Sequence, residues 1–216
     1  MAAKESSLLK LVLSLTLVSL FAAAALASVY VITKEPIEQA ALKKKSDAIQ
    51  AIIQSYNPES GHIQSEVVNI EGEEEPITVH IAYQDETVLG IAVETFTNKA
   101  FGGRFDIMVG FDVEKDIVTG TEVLKHAETP GLGDKIDKKK DNFSTQFNGK
   151  NLAELNLKVK KEGGDVDAIT AATISSSAFC DALDRGHKAY LLVKEKLNLN
   201  SDQTGSESNK NEEVTL

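Results

Sequence analysis

The sequence predicts an α+β protein, an antiparallel sheet packed with helices, preceded by one N-terminal transmembrane helix. Residues 11–33 form an apolar run without a single charge. Residues 62–125 hold short, alternating segments rich in β-branched residues and divided by turn signals. Apolar residues between 175 and 197 recur at helical spacing. A run of strands followed by helix is the α+β pattern.

The charge-free run reads LVLSLTLVSLFAAAALASVYVIT. As a helix it rises about 34 Å, enough to cross a hydrocarbon core of about 30 Å. A cleaved signal peptide competes with this reading. Ala25-Leu26-Ala27 has the small-x-small form of a cleavage site, and Lys4 and Lys10 supply a basic flank. The run continues through Val29, Tyr30, Val31 and Ile32, past the limit of about 15 residues for a signal core, which favours a retained anchor. Lys43, Lys44 and Lys45 on the far side oppose Lys4 and Lys10, so charge counting sets no orientation. The expected organisation is a short N-terminus at 1–10, the anchor at 11–33, a helical stem at 34–57, a folded domain at 58–198 and a disordered acidic tail at 199–216.

Pro36 opens the stem. Ile37, Ala40, Ala41, Ala48, Ile49 and Ile52 give it an apolar stripe, and Asn57-Pro58 ends it. Ile63, Val67, Val68 and Ile70 mark a first strand, followed by an acidic loop at Glu71–Glu75 that reads as solvated. Strands are expected at Thr78–Tyr83 and Thr87–Glu94, turning at Asp85-Glu86, and at Phe105–Val113 and Asp116–Lys125, turning at Glu114-Lys115. An irregular stretch follows from Gly131 to Lys150, then a short strand at Leu155–Lys160. The last helix spans about Ser175 to Leu197, with Ala178, Phe179, Ala182, Leu183, Tyr190 and Leu191 inward.

Composition excludes several functions. The formal net charge is −10, of which Lys4, Glu5 and Lys10 contribute +1, leaving −11 beyond the anchor. An acidic domain is unsuited to nucleic acid. Cys180 is the only cysteine, so no internal disulfide and no cysteine-held cluster can form. His62, His80, His126 and His187 show no metal-ligand spacing. Neither a G-x-G-x-x-G nor a P-loop pattern occurs, so nicotinamide binding by this chain is not expected.

The segment richest in chemistry is DVDAITAATISSS, Asp165–Ser177, after Gly163-Gly164. Thr173, Ser175, Ser176 and Ser177 crowd the start of the last helix, where unpaired N–H groups and a positive partial charge favour a phosphate. On the residues alone plain capping is the stronger reading, with Asp167 or Thr170 as N-cap.

The order of residues adds to this. Asp167-Ala168-Ile169-Thr170-Ala171-Ala172-Thr173-Ile174-Ser175-Ser176 resembles the flavinylation motif of the FMN-binding domain family: aspartate, two residues, Ser or Thr, a small residue, Ala, the acceptor Thr, then hydroxyl residues. Ala171 stands where Gly is usual. His126-Ala127-Glu128-Thr129-Pro130-Gly131-Leu132-Gly133 resembles the ETPGLG signature of the Rnf-type branch, and Ala100-Phe101-Gly102-Gly103 resembles a glycine- and aromatic-rich turn before a strand. The family includes the G subunit of the Rnf ion-translocating electron transport complex and the C subunit of the sodium-pumping NADH:quinone reductase. The chain's length and its ETPGLG segment are closer to the former. An anchored binding or scaffold domain without flavin is the reading from another class.

The resemblance implies an FMN-binding domain at 58–198, with FMN joined covalently through a phosphoester to Thr173. It implies cofactor-binding roles for Asp167, Thr170, Ala171, Ala172, Ser175, Ser176, Glu128, Thr129, Gly131, Leu132 and Gly133. No residue is assigned a catalytic or metal-binding role. A separate flavin transferase, using FAD and Mg²⁺, would install the group, because a hydroxyl is a poor nucleophile unaided. The chain would then carry electrons within a multi-subunit membrane complex, in the bacterial cytoplasmic membrane, with residues 1–10 inside the cell and the bulk on the periplasmic side. The ion path would lie in other subunits, since the anchor holds no ionisable residue after Lys10.

Overall fold

The structure is a computed structural model that describes residues 8–53, 56–73 and 75–207. The chain divides into two compact units, Met1–Lys44 and Lys45–Leu216.

Helix α1 (Leu8–Ile52) contains the apolar run and is long and apolar enough to cross a membrane. Its apolar side chains up to Leu42 are exposed all round, as in a helix that crosses a membrane. The stem was expected to open at Pro36 and to end at Asn57-Pro58. Instead α1 continues unbroken through Pro36 and ends at Ile52, while Gln54 and Ser55 lie outside the described residues. The proline deletes one backbone hydrogen bond without ending the helix.

The second unit is built on a five-stranded antiparallel meander: β1 (Gly61–Val68), β2 (Ile77–Gln84), β3 (Thr87–Ala100), β4 (Gly103–Asp112) and β5 (Ile117–Lys125), adjacent in chain order. Alternation along the strands sorts side chains onto two buried faces. Val79, Ile81, Ile91, Val93, Ile107 and Val109 form the core beneath helix α2 (Thr173–Glu207). Ala82, Ala92 and Met108 form a second core with Ala48, Ile49, Ile52 and Ile53 at the end of α1. Covering both faces explains why the middle of β3 and of β4, Ile91–Val93 and Ile107–Val109, is apolar at consecutive positions. Gly110 seats the helix end: a Cβ there would lie 3.0 Å from the Ile52 Cβ and 2.4 Å from Thr119 Oγ1.

Three expectations need correcting. Strand β3 runs to Ala100, beyond the expected end at Glu94. Its added residues Thr95 and Thr97 are buried and donate to the Ala182 carbonyl (3.0 Å) and the Asp181 carboxylate (2.8 Å) on α2. Leu155–Lys160 does not join the sheet. Its amides close locally, Asn156 on the Asp165 carboxylate (2.7 Å) and Lys160 on the Val166 carbonyl (2.8 Å), leaving one bridge between Val159 and Val166. The acidic loop is also not simply hydrated. Glu73 pairs with Arg185 at 3.0 Å and Glu75 with Arg104 at 2.6 Å. Both guanidinium groups lie over the Phe96 ring, at 4.7 and 4.1 Å from its centroid.

Between β5 and α2 the chain forms short 3₁₀ turns. One of them, Phe143–Phe147, packs Phe143 and Phe147 against Phe179 of α2, with ring centroids 5.4 and 5.6 Å away. Phe105 of β4 lies 6.2 Å from the same ring. Each such burial contributes about 2–3 kcal/mol, and together they fix the start of α2 against the sheet. Cys180 is buried in this region. Burial, with Glu162 nearby, pushes its thiol up to about 12, so it stays protonated and unreactive. Helix α2 continues to Glu207, into the segment expected as a disordered tail, and residues 208–216 lie outside the described residues.

Candidate functional site

Three loops far apart in sequence meet at the start of α2. The tip of the β3–β4 hairpin brings Phe101 and Gly102, the loop after β5 brings Glu128–Gly133, and the segment entering α2 brings Ala171–Ser175. They enclose a pocket of about 340 Å³, lined by Phe101, Glu128, Thr129, Leu132, Gly133, Ala171, Ala172, Thr173, Ile174 and Ser175.

Local chemistry shapes each wall. In the middle loop the Leu132 amide donates to the Thr129 carbonyl, with Pro130 and Gly131 between them and Gly131 at φ +77°. That is the signature of a type II turn. At the helix entry the Ala172 amide donates to the Ile169 carbonyl (3.0 Å), and Ala171 sits at φ +61°. This left-handed conformation is costly for any residue with a Cβ, and it explains why glycine suits the position. The hairpin tip presses on the middle loop: a Cβ on Gly102 would fall 2.2 Å from the Ala127 carbonyl oxygen.

One buried carboxylate links the three loops. Glu128 accepts from the Gly102 amide (2.8 Å) through Oε1 and from the Ser175 hydroxyl through Oε2. Its own amide donates to His126 Nδ1 at 3.2 Å. Gly133 makes room for the contact, since a Cβ there would lie 2.1 Å from Glu128 Oε2.

Helix α2 opens at Thr173, which makes Ala172 the N-cap, a residue with no side-chain acceptor. The first intrahelical bond is Ser176 N–H to the Ala172 carbonyl, 3.1 Å, so the amides of Thr173, Ile174 and Ser175 have no helical acceptor. Asp167 and Thr170, the expected caps, do not cap. The Asp167 carboxylate pairs with Lys160 at 2.7 Å, and both Asp167 and Thr170 line a different cleft.

The neighbouring hydroxyls are engaged. Ser175 donates to Glu128; Ser176 donates to the Ala172 carbonyl (3.0 Å) and accepts from the Ile169 amide (2.9 Å); Ser177 donates to Glu162 (3.1 Å). The Thr173 hydroxyl stands at the pocket beside the unpaired amides and, among the described residues, has no such partner. Phe101, Leu132 and Ile174 are exposed around it by 69%, 42% and 55%. A flat apolar group bearing a phosphate fits this arrangement: apolar walls for the ring, a helix N-terminus for the anion and a hydroxyl beside both.

Sequence comparison places this geometry in a family. The FMN-binding domain family matches residues 101–188, a span that holds all three loops. The G subunit of the ion-translocating oxidoreductase complex of Erwinia tasmaniensis is 34% identical over 163 residues, covering 71% of this chain and 76% of the relative. The chain belongs to the family of G subunits of ion-translocating oxidoreductase complexes. The G subunit of Buchnera aphidicola is 31% identical over 180 residues, covering 80% and 82%. That of Shewanella amazonensis is 39% identical over 117 residues, covering 53% of this chain and 54% of the relative, so the chain spans about half the length of that protein. Among solved structures, the C subunit of the Na⁺-translocating NADH-quinone reductase of Parabacteroides distasonis is similar with a TM-score of 0.44, 21% identity and coverage of 59% and 75%.

Within this member of the G-subunit family, eight residues singled out from the sequence line the pocket: Glu128, Thr129, Leu132, Gly133, Ala171, Ala172, Thr173 and Ser175. Four do not. Gly131 occupies the turn beyond the wall, and Ser176 is buried behind the helix start. Asp167 and Thr170 face the other cleft. In the sequence Phe101 stands out only as part of a glycine- and aromatic-rich turn, and the motif pattern assigns Ile174 no role at the cofactor. Spacing gives no signal for Ile174: it lies four positions before Ala178 and eight before Ala182, in line with the buried stripe, yet it is exposed.

Proposed function

We propose that this chain is the flavin-bearing electron-transfer subunit of an Rnf-type ion-translocating oxidoreductase, with FMN joined by a phosphoester to Thr173. The observation that carries the reading is the convergence of three sequence-separated motifs on one pocket, with the Thr173 hydroxyl at the helix N-terminus that forms one of its walls. The names of the relatives supply the complex.

In this reading the Thr173 oxygen attacks the phosphorus of the riboflavin phosphate half of FAD, and AMP leaves. A separate flavin transferase with Mg²⁺ supplies the base and the metal. Thr173, Ile174 and Ser175 would hold the phosphate through their amides, and Phe101, Leu132 and Ile174 would supply the apolar surface for the ring. When bound, the flavin supplies one- and two-electron transfer. The chain fixes the flavin's place relative to the other members of the complex. Helix α1 anchors the chain in the cytoplasmic membrane, and the sheet domain lies on the periplasmic side.

Co-production with a flavin transferase, followed by a denaturing gel read for flavin fluorescence, tests the linkage. Thr173→Ala loses the band, whereas Ser175→Ala and Ser176→Ala keep it. A band that survives Thr173→Ala refutes the assignment. Co-purified partners identify the complex, and quinone-reductase partners would reassign it. Protease added to intact spheroplasts should digest the domain, and full protection contradicts the periplasmic placement.

A further inference from the structure

We propose that Glu128 selects the acceptor hydroxyl: it is a positioning residue that ties up Ser175 and leaves Thr173 as the hydroxyl on the first turn of α2 able to take the phosphoryl group. This rests on the covalent-flavin reading above. The problem it solves is chemical. A serine carries a primary alcohol, less hindered than the secondary alcohol of threonine, so intrinsic reactivity favours Ser175 over Thr173. The choice must come from the surroundings.

Ser176 and Ser177 are not rivals, because neither lines the pocket; Thr129 does, but it stands on the middle loop and not on the helix turn whose amides favour a phosphate. Ser175 does line it, and is 2% exposed. Its single proton is committed to Glu128 Oε2, in a bond strengthened by the carboxylate charge and by burial, Glu128 being 5% exposed. The other carboxylate oxygen is held by the Gly102 amide, so Glu128 cannot swing away without also releasing the hairpin tip. Charge acts in the same direction. A phosphodiester on Ser175 would set its negative charge against the carboxylate it now touches. On Thr173 the same group meets the unpaired amides of the first turn.

The step concerned forms a bond between a hydroxyl oxygen and the flavin-side phosphorus of FAD and breaks that phosphorus's bond to the bridging oxygen. AMP departs with the bonding electrons, and the hydroxyl proton passes to a base on the transferase. Glu128 takes no part in these transfers; it decides which oxygen is presented.

The test uses the full chain co-produced with an FAD-dependent flavin transferase and Mg²⁺. Attachment is located by intact mass and peptide mapping, and folding is followed by melting temperature. Wild type carries one FMN, on Thr173. Glu128→Gln keeps the Gly102 contact through its oxygen but turns a donor toward Ser175, freeing the serine proton and removing the charge, so it loads Thr173 more slowly and places part of the FMN on Ser175. Glu128→Ala, and Glu128→Asp with its carboxylate drawn back by one methylene, slow loading of Thr173 on the order of tenfold and place FMN on Ser175. Combined with Thr173→Ala, both still acquire FMN on Ser175, where Thr173→Ala alone acquires none. The aspartate variant keeps the test decisive should the alanine variant unfold. A folded Glu128→Ala or Glu128→Asp chain that loads Thr173 at the wild-type rate, with nothing on Ser175, overturns the selection role and leaves the Thr173 linkage standing. A wild-type chain without covalent FMN overturns both.

Discussion

The segment Asp167–Ser175 separates two clefts of similar size and opposite character. On one side lies the pocket of about 340 Å³ with Phe101, Leu132 and Ile174 at its rim and Glu128 as its one charged wall residue. On the other lies a cleft of about 410 Å³ walled by Lys135, Asp141, Asn142, Thr145, Gln146 and Asp167. Thr170 and Thr173 are three positions apart, yet one faces the polar cleft and the other the apolar pocket. The left-handed turn at Ala171 reverses the chain between them. Chemically similar hydroxyls thus acquire different prospects from backbone geometry alone: a flat apolar cofactor fits beside Thr173, while water competes for every contact beside Thr170.

The contrast can be broken most severely at Gly133. A methyl group there meets Glu128 Oε2 at 2.1 Å and Ser175 Oγ at 2.6 Å. Gly133→Ala is expected to destabilise by about 2–3 kcal/mol, lowering the melting temperature by roughly 4–10 °C, and to abolish most FMN loading. Gly131→Ala, two residues away with nothing within 4 Å of its added Cβ, strains only the φ of +77°. It should lose about 1 kcal/mol and load FMN normally. Thermal unfolding and in-gel fluorescence read both, and equal loading by the two variants would show that close fit does not build the pocket. On the polar side, Gln146 grips the backbone of Asp167, accepting from its amide at 2.9 Å and donating to its carbonyl at 3.2 Å. Gln146→Leu should lose about 1–2 kcal/mol while FMN loading of the folded fraction is unchanged. A loading defect in folded Gln146→Leu would mean that both clefts serve the cofactor.

Sequence reasoning reached these features unequally, for identifiable reasons. The apolar run of α1 and the alternation of Val79 with Ile81, Ile91 with Val93 and Ile107 with Val109 are local patterns, and local patterns survive in a linear reading. The far half of β3 escapes such a reading because Thr95 and Thr97 look exposed until their partners on α2 are known. Glu73 and Glu75 look hydrated until Arg185 and Arg104 arrive from distant positions. Thr173 and the Glu128–Gly133 loop are legible as motifs. The bond that joins them, from Ser175 to Glu128, spans 47 positions, and no spacing rule announces it. The polar cleft is invisible for the same reason, so motif membership alone assigns Asp167 and Thr170 to the cofactor.

The smallest expected effect bears on the pivot between the clefts. Ala171 holds φ +61°, where a Cβ crowds the backbone and costs roughly 1–2 kcal/mol. Ala171→Gly removes that strain but enlarges the freedom of the unfolded chain, which returns about 0.4–1 kcal/mol. The net expectation is a gain of about 0.5–1 kcal/mol, seen as a rise of roughly 1–3 °C in melting temperature. Ala171 lines the pocket, and losing its methyl group leaves the Thr173 hydroxyl and the first-turn amides where they are. FMN loading should therefore equal wild type. A gain in stability with a shift of attachment away from Thr173 would show that the methyl group itself helps to keep the two clefts apart. A fall in stability would show that the turn relaxes out of the left-handed region in solution, in which case backbone reversal at Ala171 does not explain why two nearby threonines face different surroundings.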